Sequence, residues 1–172
     1  MCGLAHYIHT EPFGKSKIKN FSKICKLMHK IFKNGSILVN SEAAMVALGR
    51  EMAATLQGGE VLGFVGDLGA GKTHLIQGIL EGLGAGNPAA SPTFSLVHEH
   101  ADGRVPVAHF DFYRMKSADE ALGMGWDEYL SSGSVLLVEW ADRFDGTLMP
   151  EDTRWLVLKH LSATERSVTL AE

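Results

Sequence analysis

Gly66-Asp67-Leu68-Gly69-Ala70-Gly71-Lys72-Thr73 follows the apolar run Val61–Val65 and precedes a helical pattern from about Lys72 to Gly82. A strand, a glycine-rich turn and a helix in that order make a phosphate-binding loop. Gly66, Gly69 and Gly71 permit backbone angles and close approaches that a Cβ forbids. Successive N–H groups of Asp67, Leu68, Gly69 and Ala70 then form a nest for phosphate oxygens. The following helix adds the positive end of its dipole. Lys72 supplies a point charge for the β- and γ-phosphates, and the Thr73 hydroxyl takes one magnesium position. The alternative, a glycine-rich turn with an incidental lysine, does not account for the strand before it and the helix after it. The loop therefore predicts ATP bound with Mg2+, and its hydrolysis.

Outward from the loop the pattern is regular. Ile37–Val39 reads as a short strand. Asn40 or Ser41 caps a helix whose Met45, Leu48, Met52 and Leu56 form one apolar stripe, ended by Gly58-Gly59. Ser95–His100 and Val105–Phe112 read as strands joined over Asp102-Gly103, a hairpin signal. Ala118–Leu130 reads as a helix interrupted near Gly123 and Gly125, and Val135–Val138 as a buried strand. Trp155–Leu161 and Arg166–Leu170 form a closing hairpin. The predicted class is α/β: a P-loop NTPase-like mixed, largely parallel sheet flanked by helices.

Such a loop needs an acid at the end of a neighbouring strand to hold or orient the metal. Glu139 ends the run Val135–Val138 abruptly, and an acid abutting an apolar run is costly without a purpose. Asp111 lies near the end of another strand. Either is also open to reading as a solvated strand-end carboxylate; otherwise one contacts magnesium, directly or through water, and the other orients the attacking water. Ser91-Pro92-Thr93-Phe94 follows the first loop helix, where a switch sensing the γ-phosphate or a plain turn would stand. Arg114 and Arg143 are candidates for stabilising developing charge, or surface residues. His98, His100 and His109 have no diagnostic metal spacing and read as histidines exposed along a strand.

Charge divides the chain. Residues 1–35 hold seven lysines and one acid, Glu11, for a net of +6, whereas residues 36–172 carry −10. So acidic a body lacks the basic stripe of a free-standing nucleic-acid binder, and any RNA link runs through partners. The 36–172 stretch is read as the ATPase domain. Within the basic extension, apolar positions from Ile18 to Phe32 keep a helical period. The extension is either an amphipathic arm for a membrane surface or acidic partner, or an appended, disordered or non-native segment; the composition break favours the second. No apolar run reaches a membrane span of ~18 residues, and no signal-peptide order appears at the start. Two cysteines, Cys2 and Cys25, lie far from every motif, which suits a reducing cytoplasm.

Taken together, GDLGAGKT (66–73), SPTFSLV (91–97), HFDFYR (109–114) and VEW (138–140) closely resemble the bacterial tRNA threonylcarbamoyladenosine biosynthesis ATPases, the TsaE (YjeE) family. Ala47–Arg50 and Leu148–Pro150 also fit, and the resemblance covers about residues 36 to 170. It implies a single-domain ATPase acting with TsaD and TsaB homologues. That complex modifies an adenosine beside the anticodon of tRNAs reading codons that begin with adenine, and ATP hydrolysis resets it between turnovers. Carried over by position, Lys72 and Thr73 hold phosphate and magnesium, and Glu139 is a magnesium ligand. Asp111 is catalytic or metal-associated, Thr93 belongs to the switch, and Trp140 lies close to the nucleotide. Three residues depart from the family pattern. His74 stands for Thr or Ser, though its backbone N–H still reaches the nucleotide; His100 stands for Tyr, and Phe112 for Leu. Two further readings of the residues are a small-molecule kinase, which needs an acceptor pocket and lid, and a non-catalytic ATP-dependent switch, which needs no water-orienting acid.

Overall fold

Strand β2 (Val61–Val65) lies near the middle of a seven-stranded mixed sheet in the computed structural model, which describes residues 28, 30–32, 35–85, 92 and 95–171. The other strands are β1 (Ser36–Val39), β3 (Val97–His100), β4 (Val107–Asp111), β5 (Val135–Glu139), β6 (Arg154–His160) and β7 (Arg166–Ala171), in the order β1-β7-β6-β2-β5-β4-β3. The inner four, β6-β2-β5-β4, run parallel; β1, β7 and β3 join antiparallel. Every residue of β4 and β5 is buried, as expected for parallel strands covered on both faces.

Helices α1 (Glu42–Ala53) and α2 (Lys72–Leu83) cover one face, while α3 (Ala118–Gly123) and α4 (Trp126–Ser131) lie on the other side. Alternation along β5 feeds both layers: Val135 and Leu137 join Met45, Met52, Leu75 and Ile79, whereas Leu136 and Val138 join Phe110, Phe112 and Trp126. Phe112, the bulkier replacement noted above, meets Trp126 edge-on at 5.5 Å. The two helices of the first layer pack closely because glycines face each other's backbones. A Cβ on Gly78 would lie 2.1 Å from the Val46 carbonyl oxygen, and one on Gly49 2.3 Å from that of Leu75.

Ser41 caps α1, its hydroxyl accepting from Ala44 N–H at 3.1 Å. The helix stops at Ala53, earlier than the glycine pair suggests. Thr55 Oγ1 donates to Met52 O, and the Arg104 guanidinium donates to Ala53 O and Leu56 O, so side chains satisfy the last carbonyls. That same arginine reshapes the expected β3–β4 turn. The strands do pair antiparallel, but residues 101–106 form a wider connection because Arg104 is drawn to the end of α1. From the 1–35 stretch, Met28 and Phe32 are buried in the same core cluster as Met45 and Ile79, so the folded body reaches back past the composition break. The rest of the predicted Ile18–Phe32 helix, apart from residues 30 and 31, lies outside the described residues.

Candidate active site

Parallel strands end at the same edge of a sheet. At that edge β2 runs into the phosphate loop, β4 ends on Asp111 and β5 ends on Glu139, the two acids being register partners. Gly66 opens the loop with φ +148°, where a Cβ would meet the Leu158 carbonyl oxygen of β6 at 2.3 Å; both conformation and contact demand glycine. Gly71, at φ +99°, is the N-cap of α2, and no side chain caps that helix, so its first N–H groups face the loop.

Lys72 is buried at the start of α2. Its Nζ donates to the carbonyls of Gly66 (2.6 Å) and Asp67 (3.0 Å) and stands 4.0 Å from the centroid of the Trp140 ring. Burial lowers its pKa below that of an ordinary lysine, and the charges of Glu139, Asp111, Asp142 and Asp67 partly oppose that fall. Thr73 Oγ1 lies 3.0 and 3.1 Å from the two carboxylate oxygens of Glu139. Asp111, 3% exposed, accepts the Tyr113 N–H at 2.9 Å. Trp140 holds a left-handed φ of +56° directly after Glu139, and its ring lies 4.9 Å from that of Tyr113. A non-glycine residue in that region is strained, and such strain gathers at functional sites.

These residues line one cleft of about 530 Å³, bounded by Leu68, Gly69, Gly71, Lys72, Thr73, His74, Asp111, Arg114, Glu139 and Trp140 among others. An adjoining hollow of about 240 Å³ shares Glu42, Gly69, Gly71 and His74 and extends to Asn40, Ala163 and Arg166. His74 Nε2 sits 3.7 Å from the Glu42 carboxylate, between the two spaces. Arg143, by contrast, spends its Nε–H on the Met115 carbonyl (3.0 Å) and serves the local fold. Thr93 lies outside the described residues, as do Ser91 and Phe94. Pro92 is described: its carbonyl accepts from Leu96 N–H, and the Leu96 carbonyl accepts from Asp111 N–H, so this segment is tied by backbone to the acid.

The expectation of exposed histidines is corrected for His100 and His109, whereas His98 on β3 is partly exposed. His109 is fully buried and His100 is 7% exposed. For His109 the cause is the covering of β4 on both faces, which removes the exposed side that alternation assumes. Desolvation lowers the pKa of His100, with His109 adding to the fall. His109 Nε2 lies 3.0 Å from Glu139 Oε1, a contact that sequence spacing did not signal. Glu42 was also missed; its only signal was its place in the first turn of α1. Among the described residues no group of three or more His, Cys, Asp or Glu is arranged to hold a metal by itself.

With this geometry in view, comparison with known proteins is direct. Residues 39–168 match the family model of the threonylcarbamoyl adenosine biosynthesis protein TsaE. The chain is 42% identical over 123 residues to the tRNA threonylcarbamoyladenosine biosynthesis protein TsaE of Bacillus subtilis, spanning 72% of this chain and 76% of that one. It is 33% identical to the protein of the same name in Treponema pallidum, across 72% of this chain and 90% of the relative. The crystal structure of Bacillus subtilis YdiB superposes with a TM-score of 0.67 at 33% identity, covering 78% of this chain and 82% of that one. The loop, the two strand-end acids and the sheet that brings them together thus stand in a chain that belongs to the TsaE family of threonylcarbamoyl adenosine biosynthesis proteins.

Proposed function

We propose that this chain is a magnesium-dependent ATPase serving threonylcarbamoyladenosine modification of tRNAs that read codons beginning with adenine. It acts in the cytoplasm with TsaD and TsaB homologues and meets tRNA only through them. The observation that carries the reading is the convergence of Lys72, Thr73, Asp111 and Glu139 on one cleft at the carboxyl edge of the sheet. Among the described residues no helix is long and apolar enough to cross a membrane.

In this reading the N–H groups of residues 67–74 cradle the phosphates and the nucleoside extends into the adjoining hollow past His74 and Glu42. Trp140 packs over the Lys72 ammonium and keeps it directed at the phosphates. The donor set of Thr73 hydroxyl and Glu139 carboxylate suits magnesium, a hard cation that completes its shell with phosphate oxygens and water. When bound, the metal neutralises charge on the β- and γ-phosphates. Asp111 orients a water molecule and takes its proton as the water oxygen bonds to the γ-phosphorus. The bond from that phosphorus to the bridging oxygen breaks, and ADP and phosphate leave. The link from Asp111 through Leu96 to Pro92 connects this step to the 91–94 segment, where Thr93 is proposed to sense the γ-phosphate.

The test is reconstitution of tRNA modification from TsaD and TsaB homologues, with and without this chain, following phosphate release and modified adenosine together. Added chain should raise both. Unchanged modification and unchanged ATP consumption overturn the proposal. ATP binding that stimulates modification with no phosphate released would leave the non-catalytic switch instead.

A further inference from the structure

His109 is wholly buried on β4, yet the only hydrogen bond its ring makes among the described residues is from Nε2 to Glu139 Oε1, at 3.0 Å; its Nδ1 makes none. An imidazole taken out of water with one nitrogen unsatisfied is costly, and an apolar side chain would fill the same space at lower cost. Its position explains the choice. In the β4–β5 register His109 pairs with Leu137 and Asp111 with Glu139, so all four side chains share the face covered by α2. His109 sits one pleat below Asp111 and reaches diagonally to Glu139. Glu139 is thus held from two sides, by His109 beneath and by the Thr73 hydroxyl from α2.

We propose that His109 is a positioning residue that fixes the Glu139 carboxylate for metal binding. An ionised carboxylate only accepts, so Nε2 carries the hydrogen. The bond at Oε1 sets the plane of a side chain that otherwise has three free torsions, with both carboxylate oxygens within 3.0 and 3.1 Å of the Thr73 hydroxyl. This inference rests on the reading of Glu139 as a magnesium ligand. Partners behind a ligating group typically contribute ~10–100-fold in metal affinity.

The experiment measures ADP binding by calorimetry on the full chain, with EDTA and then with Mg2+, and the electron spin resonance of bound Mn2+ with ADP. His109→Leu should leave metal-free ADP binding within ~3-fold of the parent and weaken the metal-dependent gain by ~10–100-fold. His109→Gln, whose amide nitrogen reaches the Nε2 position, should restore most of it. His109→Asn, equally polar but too short, should not; this contrast decides the matter if the leucine variant does not fold. In the unsubstituted chain, 15N-histidine spectra should show a proton on His109 Nε2. A bare Nε2, an unchanged metal gain in His109→Leu, or equal behaviour of the Gln and Asn variants overturns the proposal. If Glu139→Gln also leaves the metal gain intact, the metal reading itself falls, and the positioning role with it.

Discussion

Thr73 Oγ1 and the Glu139 carboxylate stand 3.0 and 3.1 Å apart although 66 residues separate them in the chain. One residue opens α2 and the other closes β5, so the contact exists only because β2 and β5 are parallel neighbours. Glu139→Gln keeps the shape and removes the charge. It should weaken nucleotide binding in Mg2+ by about tenfold or more, ~1.4 kcal/mol, while binding in EDTA changes little. Calorimetry with and without Mg2+ checks this, and equal losses in both conditions count against a metal role.

Lys72 provides a prediction in pH. Its pKa is lowered, chiefly by burial. Between that lowered value and 10.5 the unfolded chain binds more protons at this group than the folded chain does. The group's contribution to stability therefore rises with pH across the window and is lost as pH falls through the folded pKa. Nucleotide affinity runs the other way, because phosphate requires the charged ammonium. Binding should thus decline at a lower alkaline pH than an ordinary lysine dictates. Lys72→Ala should abolish binding at every pH, and a fluorescent-nucleotide titration from pH 7 to 10.5 would reveal either pattern.

In the proposed mechanism Asp111 orients water, whereas Lys72 and the loop hold the nucleotide. Asp111→Asn should keep nucleotide affinity within ~3-fold and lower partner-stimulated turnover by ~10²–10⁴-fold. Phosphate release measured beside nucleotide binding separates the two effects. Undiminished turnover would remove Asp111 from the chemistry.

Gly78 allows α2 to sit against α1. Gly78→Ala places a methyl group 2.1 Å from the Val46 carbonyl oxygen, so the helices must separate. The expected cost is ~1–3 kcal/mol, read as a lower urea midpoint with the slope unchanged. A neutral result would mean that the helix pair yields without loss.

Much of this site was legible in the chain. The glycine-rich loop is contiguous, and its shape depends on local backbone angles that glycine spacing encodes directly. Val61–Val65 formed the strand that the apolar run predicts, and α2 began at Lys72 as its periodicity suggests. Glu139 was singled out because an abrupt acid after an apolar strand is a local signal, whereas Asp111 carried only its place near a strand end until the family resemblance added weight. The hairpin over Asp102-Gly103 was borne out, but its second strand starts at Val107 rather than Val105, and Arg104 in the connection donates to carbonyls at the end of α1 about fifty residues earlier.

What the sequence determined by itself was therefore what neighbours along the chain determine: the loop, the strands and the candidates at their ends. Strand order, the pairing of Asp111 with Glu139, and the burial of His109 against Glu139 were decided only by the tertiary structure. The physical reason is that covering on both faces hides every residue of β4 and β5. The alternation that marks inside from outside vanishes there, and a buried histidine looks no different in sequence from an exposed one.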